Sequence, residues 1–152
     1  TSIIELTNRF NELILAKYGL EKEIDILGFS MGGIIGRYWI TKLNGFKRTR
    51  RFITVGSPHK GTLTSQLVPK FPFKGISEMK INSLFLKQLS NYDYLLNDIN
   101  CISFFTYWDL MVFPGWRANL NTGEKISLEI YKHKNLVRNP KAVKIIMDKI
   151  LK

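Results

Sequence analysis

Residues 24–37 read IDILGFSMGGIIGR. The apolar run Ile24–Phe29 has the length and composition of a buried strand, yet it stops on Ser30 and passes without a spacer into a helical pattern from Met31 to Leu43. Gly28, Ser30 and Gly32 fit G-x-S-x-G. A strand that ends and a helix that begins at one serine need a tight turn, which is expected to demand glycine at positions 28 and 32. Such a turn lifts the hydroxyl off the sheet edge and leaves the first unpaired N–H groups of the helix beside it. Ser30 is therefore expected to attack a carbonyl carbon, with the Met31 N–H as one donor to the oxyanion. A glycine-rich helix start can instead hold a phosphate. Here no Lys follows the glycines and no G-x-G-x-x-G is present.

On either side of this turn, helical and extended patterns alternate. Ile3, Leu6, Phe10, Leu13 and Ile14 predict a helix over 2–18 that stops at Gly19. RRFITVGS (50–57) is a second strand, residues 60–75 form a loop or cover, and SEMKINSLFLKQL (77–89) is a helix. CISFFTYW (101–108) reads as a strand buried on both faces, and a shorter strand follows a turn at Thr122-Gly123. Asn139 and Pro140 open a last helix with Val143, Ile146, Met147 and Ile150 on one face. That order predicts a single α/β domain over 1–152, a mostly parallel sheet with helices on both faces and ligand sites at the carboxyl ends of its strands.

The 152 residues are 45% hydrophobic and 12% aromatic, enough for one packed core. No apolar run approaches the roughly 18 residues of a membrane span. A net charge of +11 points to an anionic partner or to a Lys-rich solvated surface. The basic residues are scattered, with KRTRR (47–51) as the one dense run, and no nucleic-acid motif accompanies them, so no nucleic-acid partner is expected. A solvated Lys-rich surface fits the scatter best, with transient association with an anionic membrane surface expected if residues 63–89 form a cover that opens there. Cys101 is alone and opens an apolar strand, as a buried hydrophobe would. Neither a metal-ligand cluster nor a cofactor motif occurs, so neither group is expected. The chain opens on Thr1 without the features of a signal peptide, which leads us to expect residues upstream of it and a cytoplasmic or peripheral-membrane location.

A serine hydroxyl needs a base. The chain has two histidines, His59 in VGSPHKGT and His133 after the last strand. In hydrolases built on such an elbow the acid lies between serine and histidine in the chain, and no acid separates Ser30 from His59. His133 is therefore the expected base. Asp109 closes CISFFTYWD at a carboxyl end, whereas Asp25, Asp93 and Asp98 lie at amino ends, so Asp109 is expected to orient the imidazole.

GFSMGG, TVGSPHKGT, TYWDLMVFP and HKNLVRNPKAVKIIMDKIL together resemble the bacterial lipases and esterases of the α/β-hydrolase superfamily, and also the inositol-deacylase-like lipases. Phe29 stands where that family commonly has histidine. The resemblance implies Ser30 as nucleophile, Asp109 as acid, His133 as base and His59 as part of a structural loop. It implies hydrolysis of acyl or lipid esters through an acyl-enzyme; an acyltransferase, a thioesterase or an inactive binding module on the same fold are the alternatives. It also implies N-terminal strands that this chain lacks, with a second oxyanion donor upstream of Thr1. Residues 63–89, with Phe71, Phe73, Ile76, Met79, Leu84 and Phe85, are expected either to form a cover over an acyl pocket or to pack as an ordinary helix on the sheet.

Overall fold

The computed structural model describes residues 1–67 and 74–152. Helix α1 (Ile3–Tyr18) is started by a reciprocal cap: Ser2 Oγ accepts the Glu5 N–H at 3.1 Å, and Glu5 Oε2 accepts the Ser2 N–H at 2.8 Å. Buried Glu78 takes the Ile3 N–H at 2.7 Å, tying this helix start to a distant segment. The helix ends at Gly19, whose φ of 70° costs glycine little.

Strands β1 (Ile24–Phe29), β2 (Thr49–Val55), β3 (Asn100–Phe105) and β4 (Glu124–Ser127) form one sheet in that order, every pair parallel. Their carboxyl ends consequently share one rim. Alternation along the strands splits the core in two. Ile26, Phe52 and Cys101 face α1 and helix α2 (Met31–Lys42), meeting Ile14, Trp39 and Ile40. Ile53, Val55, Ile102 and Phe104 face the opposite way, onto Leu136 and onto Ala142 and Ile146 of the last helix. Fully burying an aromatic or branched aliphatic side chain of this kind is worth roughly 1.5–3 kcal/mol.

Three expectations shift. The predicted helix over 77–89 is two helices, α3 (Lys74–Glu78) and α4 (Leu84–Ser90), because Asn82 adopts φ 60° and Ser83 starts a new helix by accepting the Leu86 N–H at 3.2 Å. The third strand ends at Phe105 rather than Trp108: Thr106 Oγ1 donates to Ile130 O at 2.6 Å, and Thr106 O accepts the Asp109 N–H at 3.3 Å, which turns the chain out of the sheet. The last helix, α5 (Pro140–Ile150), begins at Asn139 as expected, but buries Ala142 and Ile146 and leaves Met147 42% exposed.

Of the expected cover, Phe71 and Phe73 lie outside the described residues. Met79, Phe85, Leu86 and Leu89 pack against Ile3 and Ile34. Among the described residues no helix is long and apolar enough to cross a membrane.

Candidate active site

Ser30 sits between β1 and α2 at φ 53° and ψ −124°, a conformation unfavourable for any residue that carries a Cβ. Its N–H extends the sheet ladder by donating to Val55 O at 2.9 Å, and its carbonyl accepts the Gly33 N–H at 3.1 Å. The strain is held in place by close packing. A Cβ on Gly28 would stand 2.6 Å from Gly33 Cα, and one on Gly33 would stand 1.9 Å from Ser57 Oγ. At Gly32 an added Cβ would meet nothing within 4 Å. The second glycine this turn requires is thus 33 rather than 32, because the first turn of α2 presents residue 33 to β1 and to the loop after β2. Met31 N–H opens α2 and has no intrahelical acceptor.

Asp109 lies past the end of β3 and is 1% exposed. Its Oδ1 accepts the Met111 and Val112 N–H groups, both at 2.9 Å, and its Oδ2 lies 2.7 Å from His133 Nδ1. A carboxylate oxygen only accepts, so Nδ1 carries the proton, and in the neutral ring Nε2 is the nitrogen left with a lone pair. His133 opens a short 3₁₀ turn after β4. Its ring stacks on Phe29 with centroids 4.8 Å apart and planes 28° from parallel. Beneath it lies Gly56, at φ 57°, where a Cβ would come 3.0 Å from His133 Cε1. The imidazole is clamped between the ring just before Ser30 and a bare stretch of backbone just after β2. Ser30 Oγ caps nothing in α2, and the hydrogen bond His133 makes among the described residues is the one to Asp109.

The sequence reading did not find this clamp, nor the brace behind it. Arg37, 2% exposed, directs Nε and Nη2 at the Asp93 carboxylate, at 2.9 and 2.6 Å, and donates Nη1 to His59 O at 2.9 Å. An arginine inside the apolar pattern IIGRYWI was the available clue, since a buried guanidinium needs a partner. Asp25 is engaged at the opposite rim by Arg50 and Arg51, and the Arg50 guanidinium, bonded to it, holds its carboxyl below the usual range.

His59 is 3% exposed and shares a hydrogen bond with Thr54 Oγ1 at 3.1 Å. Burial, and then the charges of Arg37 and Lys60, push its pKa well below the ordinary value of about 6.5. The folded state thus resists a proton that the unfolded chain accepts, so stability is complete above about pH 6.5 and falls as the pH drops toward the depressed value. Between pH 7.5 and 5.5 this one group is expected to lower the stability of the folded protein. Urea midpoints at the two pH values, for the protein and for His59→Gln, measure it; an equal loss in both would remove His59 as the cause. The Cys101 thiol is pushed up to about 12, first by burial and then by Asp93, as suits an inert packing residue. Among the described residues no three His, Cys, Asp or Glu side chains gather into a metal-holding group.

The family model described as palmitoyl protein thioesterase matches residues 3–108, more than two thirds of the chain. The chain belongs to the palmitoyl protein thioesterase family. Within that family match lie Ser30, Met31, His59 and the Arg37–Asp93 brace, while Asp109 and His133 follow it. No curated protein matches the chain by sequence.

Solved structures give the fold. The mature lipase of Bacillus licheniformis superposes with a TM-score of 0.69 at 14% identity, over 94% of this chain and 70% of that one. Lipase B of Aspergillus fumigatus gives 0.69 at 16% identity, over 92% and 39%. A carboxylesterase structure from the thaumarchaeon Nitrososphaera gargenis gives 0.64 at 14%, over 99% and 72%. The chain thus has the α/β-hydrolase fold and spans between two fifths and three quarters of these neighbours' lengths.

Proposed function

We propose that the chain carries the nucleophile, base and acid of a hydrolase that cleaves acyl esters through an acyl-enzyme, and that its preferred substrates are long-chain acyl thioesters. The observation that carries the reading is the 2.7 Å hydrogen bond from His133 to buried Asp109, on a ring stacked against the residue that precedes a strained Ser30. In the proposed mechanism Ser30 Oγ attacks the carbonyl carbon while His133 Nε2 takes its proton, and Asp109 stabilises the imidazolium that forms. The tetrahedral oxyanion accepts the Met31 N–H. Collapse expels the leaving group, which takes up the proton held on His133 Nε2; the neutral ring then deprotonates a water that attacks the acyl carbon, and His133 returns that proton to Ser30 Oγ as the acid departs.

Membership of the thioesterase family favours sulfur over oxygen in the leaving group. Chemistry makes the choice testable, because a thiol of pKa about 8.5 departs as thiolate with little help, whereas an alkoxide must be protonated by His133 as it leaves. A fluorophosphonate probe is expected to label Ser30, as read by peptide mass spectrometry, and a palmitoyl thioester to be hydrolysed with higher kcat/KM than a palmitoyl oxoester. Absence of label at Ser30 would sink the triad; an equal or faster oxoester reaction would leave a plain esterase.

A further inference from the structure

We propose that the loop after β3, residues 107–116, together with Tyr131, is a docking face for anionic phospholipid bilayers. The inference rests on the acyl-hydrolase reading for its purpose, since it would bring a membrane-held acyl group to the rim that holds Ser30. Its geometry stands independently.

The side chains of Trp108, Leu110, Met111, Phe113, Trp116 and Tyr131 are all exposed, Leu110 by 74% and Trp108 by 60%. This exposure does not come from a loose loop. Thr64 Oγ1 donates to Leu110 O, Thr62 Oγ1 donates to Met111 O at 3.0 Å and accepts the Phe113 N–H at 2.9 Å, and Asp109 Oδ1 holds the N–H groups of Met111 and Val112. The polar backbone is thus turned inward and satisfied, which leaves the apolar tips pointing to water by construction. An exposed apolar cluster on a braced loop marks a surface that meets something.

Composition and charge indicate what it meets. Trp and Tyr dominate the patch, the residues that settle at the boundary between headgroups and acyl chains; the Trp108 and Tyr131 rings lie 5.6 Å apart. Between 107 and 117 the sole acid is Asp109, which is buried. Cations flank the patch: Lys60 and Arg117 lie over Trp116, at 5.6 and 4.9 Å, and the segment around Tyr131 carries Lys132, Lys134 and Arg138 against one exposed acid, Glu129. An apolar centre with basic flanks complements a bilayer of acidic lipids, as the net charge of +11 complements it at longer range.

The test is sedimentation with phosphatidylcholine vesicles and with phosphatidylcholine–phosphatidylserine vesicles, at low and high salt, with Trp emission read in parallel. Binding to the phosphatidylserine vesicles, weakened by salt and accompanied by a blue shift, is expected. Leu110→Glu and Trp108→Glu are each expected to reduce the bound fraction about tenfold, while Leu110→Glu leaves fluorophosphonate labelling of Ser30 in vesicle-free buffer unchanged. No binding to phosphatidylserine vesicles would overturn the proposal, as would binding that both variants retain. Loss of solution labelling in Leu110→Glu would assign the patch to the acyl pocket, and a dimer that Leu110→Glu dissolves would assign it to a second copy; either result also overturns the proposal. Failure of the unmodified protein to label at Ser30 would sink the catalytic reading alone.

Discussion

Replacing Asp109 by Asn is expected to cut kcat on a palmitoyl thioester by about 10⁴ while the protein still folds. The two halves of that expectation rest on different oxygens of one carboxylate. Oδ1 holds the Met111 and Val112 N–H groups, and an asparagine Oδ1 can do the same, so the loop after β3 keeps its shape. Oδ2 faces His133 Nδ1, and there the asparagine presents an N–H. Two donors cannot share a hydrogen bond, so the ring must move its proton to Nε2, the nitrogen that should take the proton of Ser30. Ser30→Ala is expected to cost about 10⁶, and adding Asp109→Asn to it about nothing more, because a base without a nucleophile has no work to lose. Steady-state rates, with a urea midpoint for each variant, measure both. An Asp109→Asn protein within tenfold of the unmodified rate would show that the carboxylate does not set the tautomer.

The parts of this arrangement that are legible in the sequence are those encoded locally or by chain order. IDILGF followed at once by SMGG forces a strand–turn–helix unit whatever surrounds it, and Asn139-Pro140 fixes the start of α5 by its own hydrogen bonds. A parallel sheet then puts everything that follows a strand on one rim, so residues as distant as Ser30 and His133 share an edge. Contacts across the fold are not encoded that way. Gly33 is required because of Ser57, Gly56 because of His133, and the third strand ends early because Thr106 bonds to Ile130. The break between α3 and α4 escaped because Met79, Leu84, Phe85 and Leu89 keep a helical rhythm through Asn82, where the backbone leaves the helix. Phe29 reads as one more apolar strand residue until its partner ring is known.

Asp93→Ala is expected to remove about 3 kcal/mol of stability, a large share of what a domain of this size has. Arg37 is 2% exposed and cannot shed its charge, so deleting its carboxylate leaves a guanidinium held by His59 O and Ser90 Oγ alone. Asp93 is itself about one fifth exposed, at 20%, so water can enter the space it vacates, which keeps the loss at the lower end for a broken buried pair. The double variant Arg37→Met/Asp93→Leu is expected to recover most of the loss, since neither a buried charge nor an orphaned acceptor remains except at His59 O. Urea unfolding at constant m-value reads the difference. The consequence reaches the site through the chain, because the carbonyl that Arg37 holds belongs to the loop running from Gly56, under the His133 ring, to His59. If Asp93→Ala unfolds within 0.5 kcal/mol of the unmodified protein, the pair is not a brace, and the position of Gly56 must be fixed by the packing of Ser57 against Gly33 instead.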